Sequence, residues 1–287
     1  MNFRPKVFIL TLVFVCVTLS VSAQNRQSSP VSFEKISEKL YLIKGGSGAN
    51  GGLYIGDNGV MVIDAKSNEE SVNQVLEGIK KLTDRPVKFL VNTHSDGDHI
   101  SGNIYFPETV TFVAHENCRK EFFHTGRTGR QSQWMDPERA PFVPSVTFHD
   151  KMDLYLGSKK VELWYFGVGH TTGDAVVYFP EEKTAFLGDQ VFIGRAPLIH
   201  SYKGGNSLEQ QKTLTKMLET LDVDKFCSGH ADIIGREEIR TFLSEQKARQ
   251  DKVRDLIAQG KSLDEIRAAF AEGEGRLIES MYNEIKG

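Results

Sequence analysis

The chain has 287 residues, 39% hydrophobic and 25% charged, with 9 prolines and a formal net charge of −3. That composition excludes disordered, fibrous and disulfide-framework proteins, and its acidic balance implies no broad basic face for nucleic acid. The length allows one large layered α/β domain.

Residues 1–23 break the pattern. Arg4 and Lys6 precede an apolar run over 7–17 and the small-residue sequence Val21-Ser22-Ala23, which predicts a cleaved secretory signal peptide. The run is shorter than the ~20 apolar residues of a spanning helix, so no stable membrane anchor is expected after cleavage. Val15 before Cys16 argues against lipid attachment. A periplasmic or secreted location follows as an expectation, with 24–32 as a flexible lead. The mature chain would carry 33 basic against 38 acidic side chains, a net charge of −5. Cys118 and Cys227 are expected as buried free thiols, since two cysteines make no disulfide framework.

Residues 33–64 read as a β-meander, with Asp57-Asn58-Gly59 as a hairpin signal between apolar runs. Val72, Val75, Leu76, Ile79 and Leu82 recur at helical spacing and predict a helix over 68–82. The short apolar run 88–92 predicts a buried strand that ends at a polar, glycine-bearing loop. Further strands are expected near 111–115, 152–156, 160–166, 175–179, 184–187 and 225–228, with a helix near 207–221. Phe122 and Phe123 are expected in the core, and Trp164 within a strand pair. Two similar β-then-α halves fit either an αββα sandwich or a doubly wound single sheet. From Arg236 the text is helical, with a capping box at Ser262 and Glu265. The apolar stripe Val253, Leu256, Ile257, Leu263, Ile266 and Phe270 is expected to pack on the 33–235 domain, a partner helix being the alternative.

Four histidines fall beside Gly or Asp at predicted strand ends, where a rigid scaffold presents functional groups. The densest group is Thr93-His94-Ser95-Asp96-Gly97-Asp98-His99, followed by Gly169-His170-Thr171, Gly188-Asp189 and Gly229-His230. One such turn is commonly only a turn. Imidazoles and carboxylates repeated in this order form a ligand set for a borderline metal.

This ordered set resembles the metallo-β-lactamase superfamily over about residues 33–232, and most closely its exported glyoxalase-II-like and lactamase-like hydrolases. Asp64 after the VMVI strand and the Asn92-Thr93 lead-in also look like that family. The resemblance implies an αββα sandwich and two divalent ions, zinc first. His94 and His170 would hold one ion, Asp98, His99 and His230 the other, and Asp189 would bridge them. Asp98 and Asp189 would also be the catalytic carboxylates, and a metal-bound hydroxide would attack a carbonyl carbon.

One position departs from the family. Its second motif histidine is Asp96 here, which raises the ligand charge by one and favours harder ions such as iron or manganese. Three readings follow: a two-metal hydrolase with Asp96 as a ligand, a mono-metal or catalytically weakened binding protein, and a di-iron redox protein. The hydrolase reading leads.

The 191–206 segment follows Asp189, and its Arg195, His200, Tyr202 and Lys203 are candidates for recognising an anionic substrate group. The 124–143 segment, with Arg127, Arg130, Trp134 and Met135, is a candidate lid. His115 reads as structural or as a support behind the ligands, and His124 and His149 receive no role. A small-molecule lactam, lactone, ester or thioester is the expected substrate class, with the choice among them open.

Overall fold

The computed structural model describes residues 29–126 and 128–287. The signal peptide, most of the polar lead and Arg127 lie outside them. The first half forms β1 (Ser32–Lys35), β2 (Leu40–Lys44), β3 (Gly51–Ile55), β4 (Val60–Ile63), α1 (Glu69–Leu82), β5 (Val87–Asn92), α2 (Gly97–Ile100), β6 (Thr111–His115), α3 (Glu116–Glu121) and β7 (Val146–Phe148). The second half forms β8 (Lys151–Leu156), β9 (Lys159–Trp164), β10 (Val176–Phe179), β11 (Thr184–Gly188), α4 (Ser207–Thr220) and β12 (Lys225–Ser228). Helices α5 (Arg236–Ala258), α6 (Leu263–Ala268) and α7 (Gly275–Lys286) close the chain.

The strands make two sheets, one in the order β1 to β7 and one in the order β12-β11-β10-β9-β8. Pairing is antiparallel from β1 to β4 and from β8 to β11. The β4–β5 and β11–β12 pairs are parallel, with α1 and α4 as their crossovers, because a parallel connection must carry the chain back along the sheet.

Alternation along each strand then decides which face meets what. Met61, Ile63, Val91 and Val113 of the first sheet face Val161, Leu163, Val177, Phe179 and Phe186 of the second. Val60, Val62 and Leu90 point the other way, onto Val72, Val75 and Ile79 of α1. Val176, Ala185 and Phe226 likewise point outward, onto Leu214 and Met217 of α4 and Ile239 and Phe242 of α5. This is an αββα sandwich, and the single-sheet alternative is excluded by the strand pairing.

Asn68 caps α1 by accepting from the Ser71 N–H, and Glu69 and Glu70 open the helix while Lys80 and Lys81 close it, matching charge to the helix dipole. The C-terminal helices do more than cover a sheet. Val253, Ile266, Leu277, Ile278 and Met281 bury Ile199, so the stripe expected to pack inward braces the 196–199 segment. Glu284 accepts from the backbone N–H and hydroxyl of Ser207, at the start of α4. Cys118 and Cys227 are free and buried. Phe122 is core, whereas Phe123 is 39% exposed, because α3 ends there and the chain turns outward. Among the described residues no helix is long and apolar enough to cross a membrane.

Candidate metal centre

Every ligand candidate comes from a loop or short helix at one end of the sandwich. His94 follows β5, His99 lies on α2, His170 lies between β9 and β10, Asp189 follows β11 and His230 follows β12. Two clusters result: His94, Asp96, His170 and Asp189 in one, and Asp98, His99 and His230 in the other, each set with its donor atoms within 4.8 Å. Asp189 joins them, with its two oxygens 3.1 Å from His99 Nε2 and 3.1 Å from His230 Nε2. His230 Nε2 is also 3.1 Å from Asp98 Oδ2.

The imidazoles are aimed from behind. His99 Nδ1 lies 2.7 Å from Asp64 Oδ2, which also accepts from Thr93 Oγ1 at 2.8 Å. Thr93 Oγ1 is in turn 3.0 Å from His94 Nδ1, and His170 Nδ1 is 2.6 Å from the Leu198 carbonyl. Partners on Nδ1 fix each ring and leave Nε2 for the centre. Asp64 holds this post at a φ of 58°, a left-handed conformation that Asp adopts more readily than most residues. The packing is close elsewhere too. A Cβ at Gly229 would lie 2.3 Å from Asp189 Oδ1, and one at Gly188, itself at φ 55°, would lie 2.4 Å from Thr93 Oγ1.

The donor set fits a metal. His94 Nε2, His99 Nε2 and Asp189 Oδ1 are buried without a hydrogen-bond partner, a costly state unless a cation lies among them. Proton affinities express the same demand. Burial opposes charge on His99, but Asp64 and Asp189 hold its pKa well above the ordinary value. Burial likewise opposes charge on His170, yet Asp96 raises it to about 9. Hydrogen bonds to Asp189 and Asp98 raise His230 to about 9. Burial works against ionisation of Asp189, and the neighbouring imidazoles hold it well below the usual carboxylate range. Nitrogen and oxygen donors of this kind suit zinc, iron or manganese.

Asp96 is the crowded member. Its Oδ2 is 3.0 Å from His170 Nε2, 2.7 Å from His200 Nε2 and 3.7 Å from His94 Nε2. Its Oδ1 is 2.6 Å from Lys203 Nζ, which also donates to Ser95 Oγ at 2.8 Å. Burial disfavours charge on Asp96, but its imidazole partners hold it far below its ordinary pKa. Burial opposes the Lys203 ammonium, and Asp96 more than offsets it, leaving the pKa above 10.5.

The four residues assigned to an anionic substrate therefore separate. His200 and Lys203 both contact Asp96. Arg195 lies over the Phe192 ring, 4.5 Å from its centroid, and lines a cavity of about 560 Å³ shared with Glu237, Glu238 and Glu245 that touches no ligand candidate. Tyr202 lines a cavity of about 510 Å³ with Ser95, Gly97, Trp134, Arg130 and Lys203. Of the candidate lid, Arg130, Trp134 and also His124 line that cavity, Met135 is 51% exposed, and Arg127 is outside the described residues. A third cavity, about 480 Å³, opens beside His230, Asn50 and Ile193. His115 is in neither cluster: it stacks on Tyr165 with ring centroids 3.8 Å apart.

Sequence reasoning gave no role to Glu121 or the Leu198 carbonyl, and neither carries a local signal. Asp64 did carry one, as an acid ending an apolar strand.

With this geometry in view, the metallo-beta-lactamase superfamily model matches residues 45–230, and the chain belongs to that superfamily. It is 25% identical over 240 residues to a type 2 metallo-beta-lactamase of Bacteroides fragilis, covering 81% of this chain and 92% of that protein. It is 23% identical over 214 residues to a 2,4-dinitroanisole O-demethylase subunit alpha of a Nocardioides strain, covering 73% and 60%. A metallo-beta-lactamase from Pontibacter korlensis shares the fold at a TM-score of 0.62 and 19% identity, over 76% of this chain and 99% of that one. A sec-alkylsulfatase from a Pseudomonas species shares it at a TM-score of 0.69 and 17% identity, over 88% and 50%.

Proposed function

We propose that the chain is an exported two-metal hydrolase that cleaves a lactam, lactone, ester or thioester of a small molecule, with zinc as its working metal. The observation that supports this most is the pair of donor clusters sharing Asp189. Two divalent ions held there would supply a water activated at neutral pH and a Lewis acid for the substrate oxygen. Asp98 is the most exposed of the ligand candidates at 38%; burial raises its pKa, but His230 and His99 bring it below the ordinary value. An ionised Asp98 Oδ2 at the edge of the centre can orient the attacking water and take its proton. Asp189 lies deeper and holds His99 and His230 in one geometry. The cavities beside Trp134 and beside His230 leave room for a small substrate on either side.

Assembly of the first cluster favours a two-metal enzyme over a mono-metal one. Lactamases among the relatives make a β-lactam the first substrate to try. Assays of the mature chain on nitrocefin, lactones and thioesters, before and after chelation and zinc return, test the reading. Turnover that chelation abolishes and zinc restores is the expected result; turnover that persists in the metal-free chain, or none on any of these classes, would overturn it. Export is proposed on the leader alone, and fractionation of producing cells tests it.

A further inference from the structure

Asp96 puts a formal charge where the superfamily has a neutral imidazole, and the structure sets a buried cation directly on it. Lys203 is 8% exposed, and its Nζ is 2.6 Å from Asp96 Oδ1. The two carboxylate oxygens divide their partners: Oδ1 takes the ammonium, while Oδ2 faces the imidazoles of His94, His170 and His200. Resting on the two-metal reading, we propose that Asp96 and Lys203 act as one electrically neutral ligand, Lys203 being a positioning residue that leaves Oδ2 for the first metal and cancels the added charge.

The surroundings hold the ammonium in place. Ser95 Oγ accepts from Lys203 and donates to Glu121 Oε2 at 2.5 Å, and Glu121 Oε1 accepts from the Thr172 backbone N–H at 3.0 Å and hydroxyl at 2.6 Å. Lys203 itself ends the turn Ser201–Lys203, whose backbone is closed by its N–H donating to the His200 carbonyl at 2.8 Å. Among the described residues, Lys203 is the Lys or Arg whose charged head reaches a carboxylate of either cluster. An ammonium this buried loses its carboxylate at a cost, since an unpaired buried charge is strongly unfavourable. The preference for harder ions that Asp96 alone would give is accordingly cancelled, and zinc remains the matched ion.

This makes a reciprocal prediction about metal binding, independent of turnover. Restoring the family residue by Asp96→His strands the Lys203 ammonium beside a divalent ion, so first-site zinc affinity falls by about 10–100-fold, the range seen when a group behind a ligand is lost. Lys203→Met alone releases Oδ1 and with it the aim of the carboxylate, a loss that outweighs the gain in negative charge beside the ion, with a fall of similar size. The double substitution Asp96→His, Lys203→Met recovers most of the affinity, because neither charge is left.

The experiment is a chelator-competition titration of zinc on the full mature chain for the wild type, both single variants and the double variant, with metal counted per chain. Strong non-additivity confined to one of two zinc ions supports the proposal. Two zinc ions with additive effects, or tighter binding in Asp96→His alone, overturns it while leaving the hydrolase reading intact. Fewer than two zinc ions on the wild type overturns both. Lys203→Gln, which keeps a hydrogen-bonding head without charge, carries the same cycle should Lys203→Met fail to fold.

Discussion

The two halves of the centre are built differently. Asp98, His99 and His230 follow the superfamily order, and two of them are reachable from solvent, Asp98 at 38% and His230 at 29%. Helix α2 carries Asp98 and His99, Asp64 anchors His99 from the adjoining strand end, and Asp189 meets His99 and His230. The half around His94, Asp96 and His170 is buried, and beyond the contact of Thr93 with His94 its fixtures come from far along the chain. His200 and Lys203 sit on Asp96, the Leu198 carbonyl holds His170, and Ile199 between them is packed by the C-terminal helices. Asp96 thus takes its partners from a region outside the motif that announces the site.

The sharpest way to break this comparison is to remove what the halves share. Asp189→Ala takes the bridging carboxylate from both, so bound zinc should fall from two equivalents towards none and turnover by more than about 10³-fold, each ion being worth several kcal/mol to the reaction. His230→Ala should lose only one equivalent. Elemental analysis beside rate measurements separates the cases.

Asp64→Ala should also reach both halves, through His99 directly and through Thr93 to His94. Zinc affinity should drop by about 10–100-fold at each site, as for other partners of ligating histidines, read by chelator competition. Loss at one site alone would mean that Thr93 does not carry the effect.

Ile278→Ala distinguishes the halves. It opens a cavity under Ile199, costing about 2–5 kcal/mol of stability, and should weaken zinc at the first site while sparing the second. Urea unfolding gives the first quantity and zinc titration the second. Equal weakening at both sites would contradict the brace.

The smallest expected effect is in pH. His170 and His230 have folded pKa values raised to about 9 from 6.5, so in the metal-free chain their stabilisation is complete below pH 6.5 and is lost as pH rises through 9. The melting temperature of chelated protein should fall by roughly several degrees across that window. Zinc-loaded protein should not show this loss, since the ion then balances the carboxylates.

Much of this was legible in the sequence, for identifiable reasons. Apolar alternation and turn residues placed most strands, and the two-sheet arrangement came from the family resemblance, since local pattern leaves a single sheet equally possible. Strand-end His, Asp and Gly residues marked both donor clusters because a metal needs donors from several loops with small neighbours. What stayed hidden was non-local. The three-residue β7 is held by its pairing with β6. The contacts of Lys203 and His200 with Asp96 span more than a hundred residues of chain, so no local pattern announces them.

The most direct test of the account is a crystal structure of the zinc-loaded mature chain with anomalous scattering recorded at the zinc edge. Two peaks are predicted on either side of Asp189, one ligated by His94, Asp96 Oδ2 and His170, the other by Asp98, His99 and His230, with Lys203 Nζ still on Asp96 Oδ1. A single peak at Asp98, His99 and His230, with Asp96 turned away from His94 and His170, would contradict it.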